Sequence, residues 1–99
     1  MLPKALIENA PDKSGVYFFK NRNGRILYIG KAKSLKARLR SYTNSRQRRK
    51  IKQLVHSTVK VDYIVCGSEL EALLLESRLI KKHQPKYNAL LKEPRPRQQ

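Results

Sequence analysis

The chain has 99 residues, with 23 Lys plus Arg against 7 Asp plus Glu and a formal net charge of +16. That length allows one small domain with a modest core, and no apolar run approaches a membrane span. The charge calls for a polyanionic partner, nucleic acid before a lipid surface, and the single cysteine, Cys66, excludes an internal disulfide or a cysteine-based zinc site.

The first dozen residues predict a short lead-in, with one helical turn around Lys4 to Glu8, ending at Pro11-Asp12. The start has neither a long apolar core nor a cleavage-site pattern, so no signal peptide is expected and the expected location is cytoplasmic. Val16 to Lys20 and Arg25 to Ile29 then predict a β-hairpin about Asn21-Arg22-Asn23-Gly24. With Asn23-Gly24 at the centre of a type I′ turn, Arg22 pairs with Arg25, Phe19 with Tyr28, and Tyr17 with Gly30. Tyr17 and Tyr28 thereby share one face as diagonal neighbours, with only a glycine opposite Tyr17. A four-residue loop keeps that parity, and an odd loop would split the pair. Two phenols over a side-chain-free position, ringed by cations, suggest a phosphate site. Val16 to Phe19 is apolar on both faces, so this strand is expected to be central and covered twice.

Ser34 is the expected N-cap of a helix from Leu35 to about Tyr42, with Leu35, Leu39 and Tyr42 as its apolar stripe. Arg46 to His56 predicts a second, strongly basic helix, buried only through Ile51, Leu54 and Val55. No acidic residue occurs from Lys13 to Val61. The cations Lys33, Lys36, Arg40, Arg46, Arg48, Arg49, Lys50 and Lys52, with Tyr42, are therefore candidate contacts to a nucleic-acid backbone. Val59 to Cys66 alternates as a third strand and ends at Gly67. Ser68-Glu69-Leu70-Glu71 is a capping box opening a helix to about His83, which Pro85 stops. His56 and His83 have no ligand-spaced partners and are expected to be structural. Residues 1–92 make the domain, and 93–99, with Pro94 and Pro96, are expected to be a disordered tail. The order is β-β-α-α-β-α, an α/β (α+β) fold whose small three-stranded sheet, mixed but mainly antiparallel, is flanked by helices.

One carboxylate breaks the pattern. On the last helix Glu76 has Ala72, Leu73, Leu79 and Ile80 as its neighbours one turn away, all apolar. A lone buried carboxylate costs several kcal/mol unless it is neutralised, paired or bound to a metal. One reading is a buried salt bridge to an arginine. The other is a Mg²⁺ ligand, since magnesium commonly takes only one or two protein carboxylates beside water and phosphate oxygens. Arg38 borders its own helix's stripe, from where a guanidinium reaches inward to a phosphate or to Glu76, or simply snorkels along the core edge.

Gly15-Val16-Tyr17, Tyr28-Ile29-Gly30-Lys31, Arg38, Glu76 and Asn88, in this order and context, resemble the GIY-YIG endonuclease superfamily. The stretches from Tyr28 to Tyr42 and from Glu76 to Asn88 look most like the N-terminal nuclease domain of the nuclease component of excinuclease ABC and its short relatives. The likeness spans roughly Pro11 to Leu91, with Val16 where the motif's name has isoleucine. The polar tail after Lys92 leans toward a free-standing small nuclease over an excised domain.

The resemblance implies a metal-dependent DNA endonuclease. Tyr17 and Tyr28 would belong to the active site, with Tyr28 the one that helps deprotonate the attacking water. Arg38 and Lys31 would meet the phosphate, Glu76 would hold a single Mg²⁺ or Mn²⁺, and Asn88 would anchor the floor. The implied partners are DNA, branched or damaged, and a protein supplying specificity, because a bare domain has no reader of base edges. No membrane is implied. The alternative is a non-catalytic nucleic-acid-binding module of the same fold, which would not need Glu76.

An unperturbed tyrosine, with a pKa of about 10, is only about 0.1% ionised at neutral pH. Surrounding Lys and Arg plus a divalent ion would favour the phenolate. Alternatively the ion makes the water more acidic and Tyr28 only orients it. Either route gives in-line hydrolysis with Arg38, Lys31 and the ion stabilising the extra charge.

Overall fold

The computed structural model describes residues 2–44 and 46–91. Its elements are α1 (Lys4–Glu8), β1 (Gly15–Lys20), β2 (Ile26–Ala32), α2 (Leu35–Ser41), α3 (Arg49–Ser57), β3 (Lys60–Val65), α4 (Glu69–His83) and α5 (Lys86–Leu90). The expected tail at 93–99 lies outside the described residues.

The strand that is apolar in both directions takes the centre, in the order β2-β1-β3. Val16, Tyr17 and Phe19 are at most 1% exposed. Tyr17 and Phe19 enter a core with Leu35 and Leu39 of α2, Leu54 of α3 and Tyr87 of α5. Val16 and Phe18 enter a second core with Ile29, Cys66 and Ala72 of α4. Each such side chain contributes about 1.5–3 kcal/mol on burial, so β1 is held from both faces. Both neighbours run antiparallel to it, and the sheet has no parallel pair among the described residues, unlike the mixed sheet expected.

The hairpin reaches the expected register by another route. Tyr17 lies opposite Gly30 and Phe19 opposite Tyr28. Of the two expected turn residues only Gly24 has a positive φ, at 82°, so the turn is not type I′. The Gly24 N–H donates to the Asn21 carbonyl at 2.9 Å, and the Asn21 N–H donates to the Arg25 carbonyl at 3.0 Å. Arg25 therefore faces Asn21 and not Arg22, across a three-residue loop with a left-handed glycine at its end. An odd loop alone would put Tyr17 and Tyr28 on opposite faces. A bulge cancels the error: Lys20 pairs with Ile26 while Phe19 pairs with Tyr28, leaving Leu27 as an extra residue in β2.

Ser34 caps α2 as expected, accepting the Ala37 N–H at 3.1 Å and donating to the Asp12 carboxylate at 2.6 Å. The second basic helix starts at Arg49, later than Arg46, because the intervening side chains close the end of α2 instead. There the Thr43 hydroxyl donates to the Arg40 carbonyl and the Gln47 amide to the Ser41 carbonyl. β3 starts at Lys60, and of Val59, Val61, Tyr63 and Val65 only Val61 is buried, since β3 is a sheet edge.

Ser68 caps α4 by accepting the Glu71 N–H, while the Glu71 carboxylate returns to the Gly67 N–H, one residue before the cap. After Gln84 turns left-handed, with φ at 47°, Pro85 does more than stop α4. It opens α5, a helix the sequence pattern did not reveal. No helix among the described residues is long and apolar enough to cross a membrane.

Candidate active site

The three tyrosines named from the sequence meet. The Tyr17 ring lies 6.1 Å from that of Tyr28 and 5.9 Å from that of Tyr42. The Tyr17 and Tyr42 hydroxyls share a hydrogen bond of 2.5 Å. The Tyr42 ring also stands edge-on to Phe19 at 5.0 Å in the core, as its place in the apolar stripe predicts. Gly30 makes the cluster fit. A Cβ there would meet the Tyr17 ring, 2.9 Å from its Cε2 and nearer still to its hydroxyl. Tyr17 itself leans across the bare position.

Above the phenols is a hollow of about 280 Å³, whose walls include Tyr17, Tyr28, Lys31, Arg38, Tyr42 and Glu76. β1 and β2 supply the first three, α2 supplies Arg38, and α4 supplies Glu76. Arg38 is exposed at this hollow and not tucked along the core edge. It also borders the neighbouring hollow of Lys33, Ser34 and Asp12.

Glu76 is less sunken than its helical wheel predicts. Leu73 is 43% exposed and Leu79 and Ile80 are only half-buried, so of the apolar neighbours of Glu76 just Ala72 is fully core and the acid is half-buried. Its partner is not an arginine. Oε2 accepts the backbone N–H of Lys31 at 2.9 Å, and the second oxygen has no protein partner among the described residues. No group of three or more His, Cys, Asp or Glu able to hold a metal occurs among them either. A single carboxylate with one spare oxygen beside a phosphate-sized hollow fits a hydrated Mg²⁺, which keeps most of its waters.

In the cation-free protein burial outweighs Arg38 at the phenols, whereas the expected phenolate rested on Lys and Arg together with a divalent ion. Desolvation pushes the Tyr17 hydroxyl well above the usual range, and the neighbouring Tyr42 and Tyr28 add to it against the pull of Arg38. Tyr28 is pushed up to about 12 by burial, then by Tyr42 and Glu76, again against Arg38. Tyr42 is raised by burial as well. Burial also raises the Glu76 carboxyl, with the Lys31 amide, Lys31 and Arg38 opposing. Without a bound cation the phenols are neutral hydrogen-bonding groups at physiological pH.

Asn88 stands on α5, the helix missed in the sequence, and is not among the walls of the hollow. Its Oδ1 accepts the Ile29 N–H at 2.9 Å and its Nδ2 donates to the Ile29 carbonyl at 2.8 Å. The amide thus caps the outer edge of β2 next to Tyr28. The cations behave as surface groups. Lys33, Arg40, Arg46, Arg48, Arg49, Lys50 and Lys52 are exposed, and Lys36 is partly buried. Lys50 is tied by its ammonium to the Leu90 carbonyl at 3.3 Å. Arg48 departs from the group by lining the tyrosine hollow with Ile51 and Leu91. Nothing in the helical periodicity marked it, because it lies ahead of α3 as its N-cap residue.

A three-stranded antiparallel sheet with helices on both faces, presenting two strand-borne tyrosines, a helical arginine and a glutamate to one hollow, is the GIY-YIG fold. The chain belongs to the family of UvrC-like GIY-YIG domains, whose model matches residues 13–89. It is 50% identical over 93 residues to UvrABC system protein C of Desulforudis audaxviator, covering 94% of this chain, and 51% identical over 89 residues to that of Clostridium botulinum strain Hall, covering 88%. It spans only 14 to 15% of the length of these relatives. Among solved structures it resembles the N-terminal GIY-YIG endonuclease domain of UvrC from Thermotoga maritima bound to its catalytic divalent cation, magnesium. That match has a TM-score of 0.80 and 46% identity, and covers 86% of this chain and 93% of the other.

Proposed function

We propose that this domain hydrolyses one phosphodiester bond of DNA with the help of a single divalent cation, Mg²⁺ or Mn²⁺, held by Glu76. The observation that carries the reading is the convergence of Tyr17, Tyr28, Lys31, Arg38, Tyr42 and Glu76 on one hollow. The cation, when bound, would supply positive charge at the phosphate and lower the pKa of water.

The chain's own groups supply the rest. Lys31 and Arg38 neutralise the phosphate and the further charge that develops as water attacks in line. Tyr28, fixed beside Phe19 and Tyr17, orients the water as a neutral phenol, and would take its proton only as the phenolate that a bound cation favours. Tyr17 and Tyr42 hold one another and so fix the wall against which the phosphate rests. Asn88 keeps the Tyr28 strand in place from behind. The exposed cations of α2 and α3 track the DNA backbone without reading bases, so selectivity comes from DNA shape, branching or damage, or from a protein partner.

The test is Mg²⁺-dependent nicking of branched and plain DNA by the wild type, Glu76→Gln and Tyr28→Phe. Both variants should still bind DNA and cut about a hundredfold or more slowly. Wild-type protein that binds tightly but cuts no substrate would instead make this a binding module. Binding should weaken steeply with salt as counterions are released, and a flat response would contradict the basic track.

A further inference from the structure

Tyr42 is a wall between two hollows. On its other side lies a larger one, of about 490 Å³, with Leu2 and Ile7 from the α1 region and Val55 of α3 among its walls. Asn44 and Gln47 edge it, and Lys4 and Lys52 stand at it as exposed cations. Gln47 faces the larger hollow while its neighbour Arg48 faces the catalytic one.

We infer that the larger hollow takes one unstacked nucleobase of the strand being cut, adjacent to the phosphate held at Arg38. This rests on the nuclease reading above and adds to it a substrate class: DNA with an unpaired or easily unstacked nucleotide beside the cut. The walls fit a base. Leu2, Ile7 and Val55 offer apolar surface to its flat face. Asn44 spends its Oδ1 on the Arg46 N–H, which leaves its NH₂ as a donor. Gln47 spends its NH₂ on the Ser41 carbonyl, which leaves its Oε1 as an acceptor. One donor and one acceptor suit the edge of a base.

Charge selects the occupant. A greasy protein side chain would gain nothing from Lys4 and Lys52, whereas a nucleotide brings phosphates to them. A strand whose phosphate sits at Arg38 and which continues past Tyr42 brings its next base to the second hollow. Removing a base from a stack is least costly where it is mismatched, damaged or already unpaired. A base pocket beside the chemistry would therefore select DNA by structure without a code.

The test follows backbone amide chemical shifts of the full chain, without metal, on adding deoxyadenosine monophosphate and, separately, inorganic phosphate. The nucleotide should shift Asn44, Gln47 and Val55 saturably, and phosphate should shift the cation sites at Lys31, Arg38, Lys4 and Lys52 while leaving Val55 unmoved. Val55→Trp fills the hollow and should abolish the nucleotide's shifts there. Asn44→Ala, at an exposed position that folding tolerates, should weaken them severalfold. In nicking assays the wild type should prefer a duplex with one unpaired nucleotide over a fully paired one by about tenfold. That ratio should fall to about one in Val55→Trp. Identical shifts from phosphate and nucleotide, or an unchanged ratio in Val55→Trp, would overturn the base pocket. Nucleotide shifts confined to the larger hollow in a protein that cuts nothing would support the pocket while refuting the nuclease reading.

Discussion

The Glu76 carboxylate accepts the backbone N–H of Lys31 at 2.9 Å, so α4 is fastened to the strand that carries Tyr28. One oxygen aligns the acid, and under the proposed function the other would take the cation. Glu76→Gln keeps an amide oxygen for the Lys31 N–H, so its thermal unfolding should stay close to wild type. Its cutting should fall about a hundredfold or more. Glu76→Ala should lose both functions and melt earlier, by about 1–3 kcal/mol for the orphaned amide. Melting curves beside nicking rates separate the two roles.

Gly30→Ala should damage the site through Tyr17. The new Cβ meets the Tyr17 ring, which is fully buried and has nowhere to retreat. Overpacking of this kind costs about 1–3 kcal/mol. Moving the Tyr17 hydroxyl off Tyr42 by about 1 Å should slow cutting about a hundredfold. A crystal structure and nicking rates of the variant check this, and full activity would contradict the close fit.

Asn88→Ala should act on stability before chemistry. It removes two hydrogen bonds to Ile29 and leaves the N–H and carbonyl of that residue unpaired on the edge of β2. The expected loss is about 1–3 kcal/mol, or roughly 5–15 °C in melting temperature for a domain of this size. Asn88→Asp keeps an acceptor for the Ile29 N–H but sets a carboxylate against its carbonyl. It should therefore be unstable at neutral pH and recover in acid. Differential scanning calorimetry at two pH values reads both effects.

The raised phenol pKa values predict alkaline unfolding. Each folded-state value lies above the unfolded value of about 10, so the folded protein favours the protonated phenol. Stability from this source is complete below about pH 10 and is lost as pH rises through the folded values. Phenolate absorbance of the cation-free protein should show a component near 12 that Tyr28→Phe removes. For Glu76, burial raises the pKa, so protons should displace the cation as pH falls through a value above the ordinary carboxylate range. Titration calorimetry with Mg²⁺ at several pH values tests the second point.

Local chemistry made much of this fold legible. The apolar run Val16 to Phe19 placed β1 in the middle, and the Ser34 and Ser68 caps fixed two helix starts. What escaped depended on long-range compensation. The tyrosine register was anticipated, yet it arises from an odd loop and a bulge that cancel, and neither shows in periodicity. The half-exposure of Glu76 also escaped, because a helical wheel knows which neighbours are apolar but not which of them the sheet covers. The raised phenol pKa values of the cation-free protein escaped for the same reason. Nearby cations can be counted in a sequence, whereas the burial that outweighs them cannot.

Diffraction from crystals soaked in manganese, recorded for its anomalous signal, addresses the cation directly. One ion should appear in the hollow between Tyr28 and Arg38, bound by the oxygen of Glu76 that Lys31 does not use, and Glu76→Gln crystals should lack it. An empty hollow in the wild type, with the ion elsewhere or absent while Glu76 stays on the Lys31 amide, would contradict the assignment.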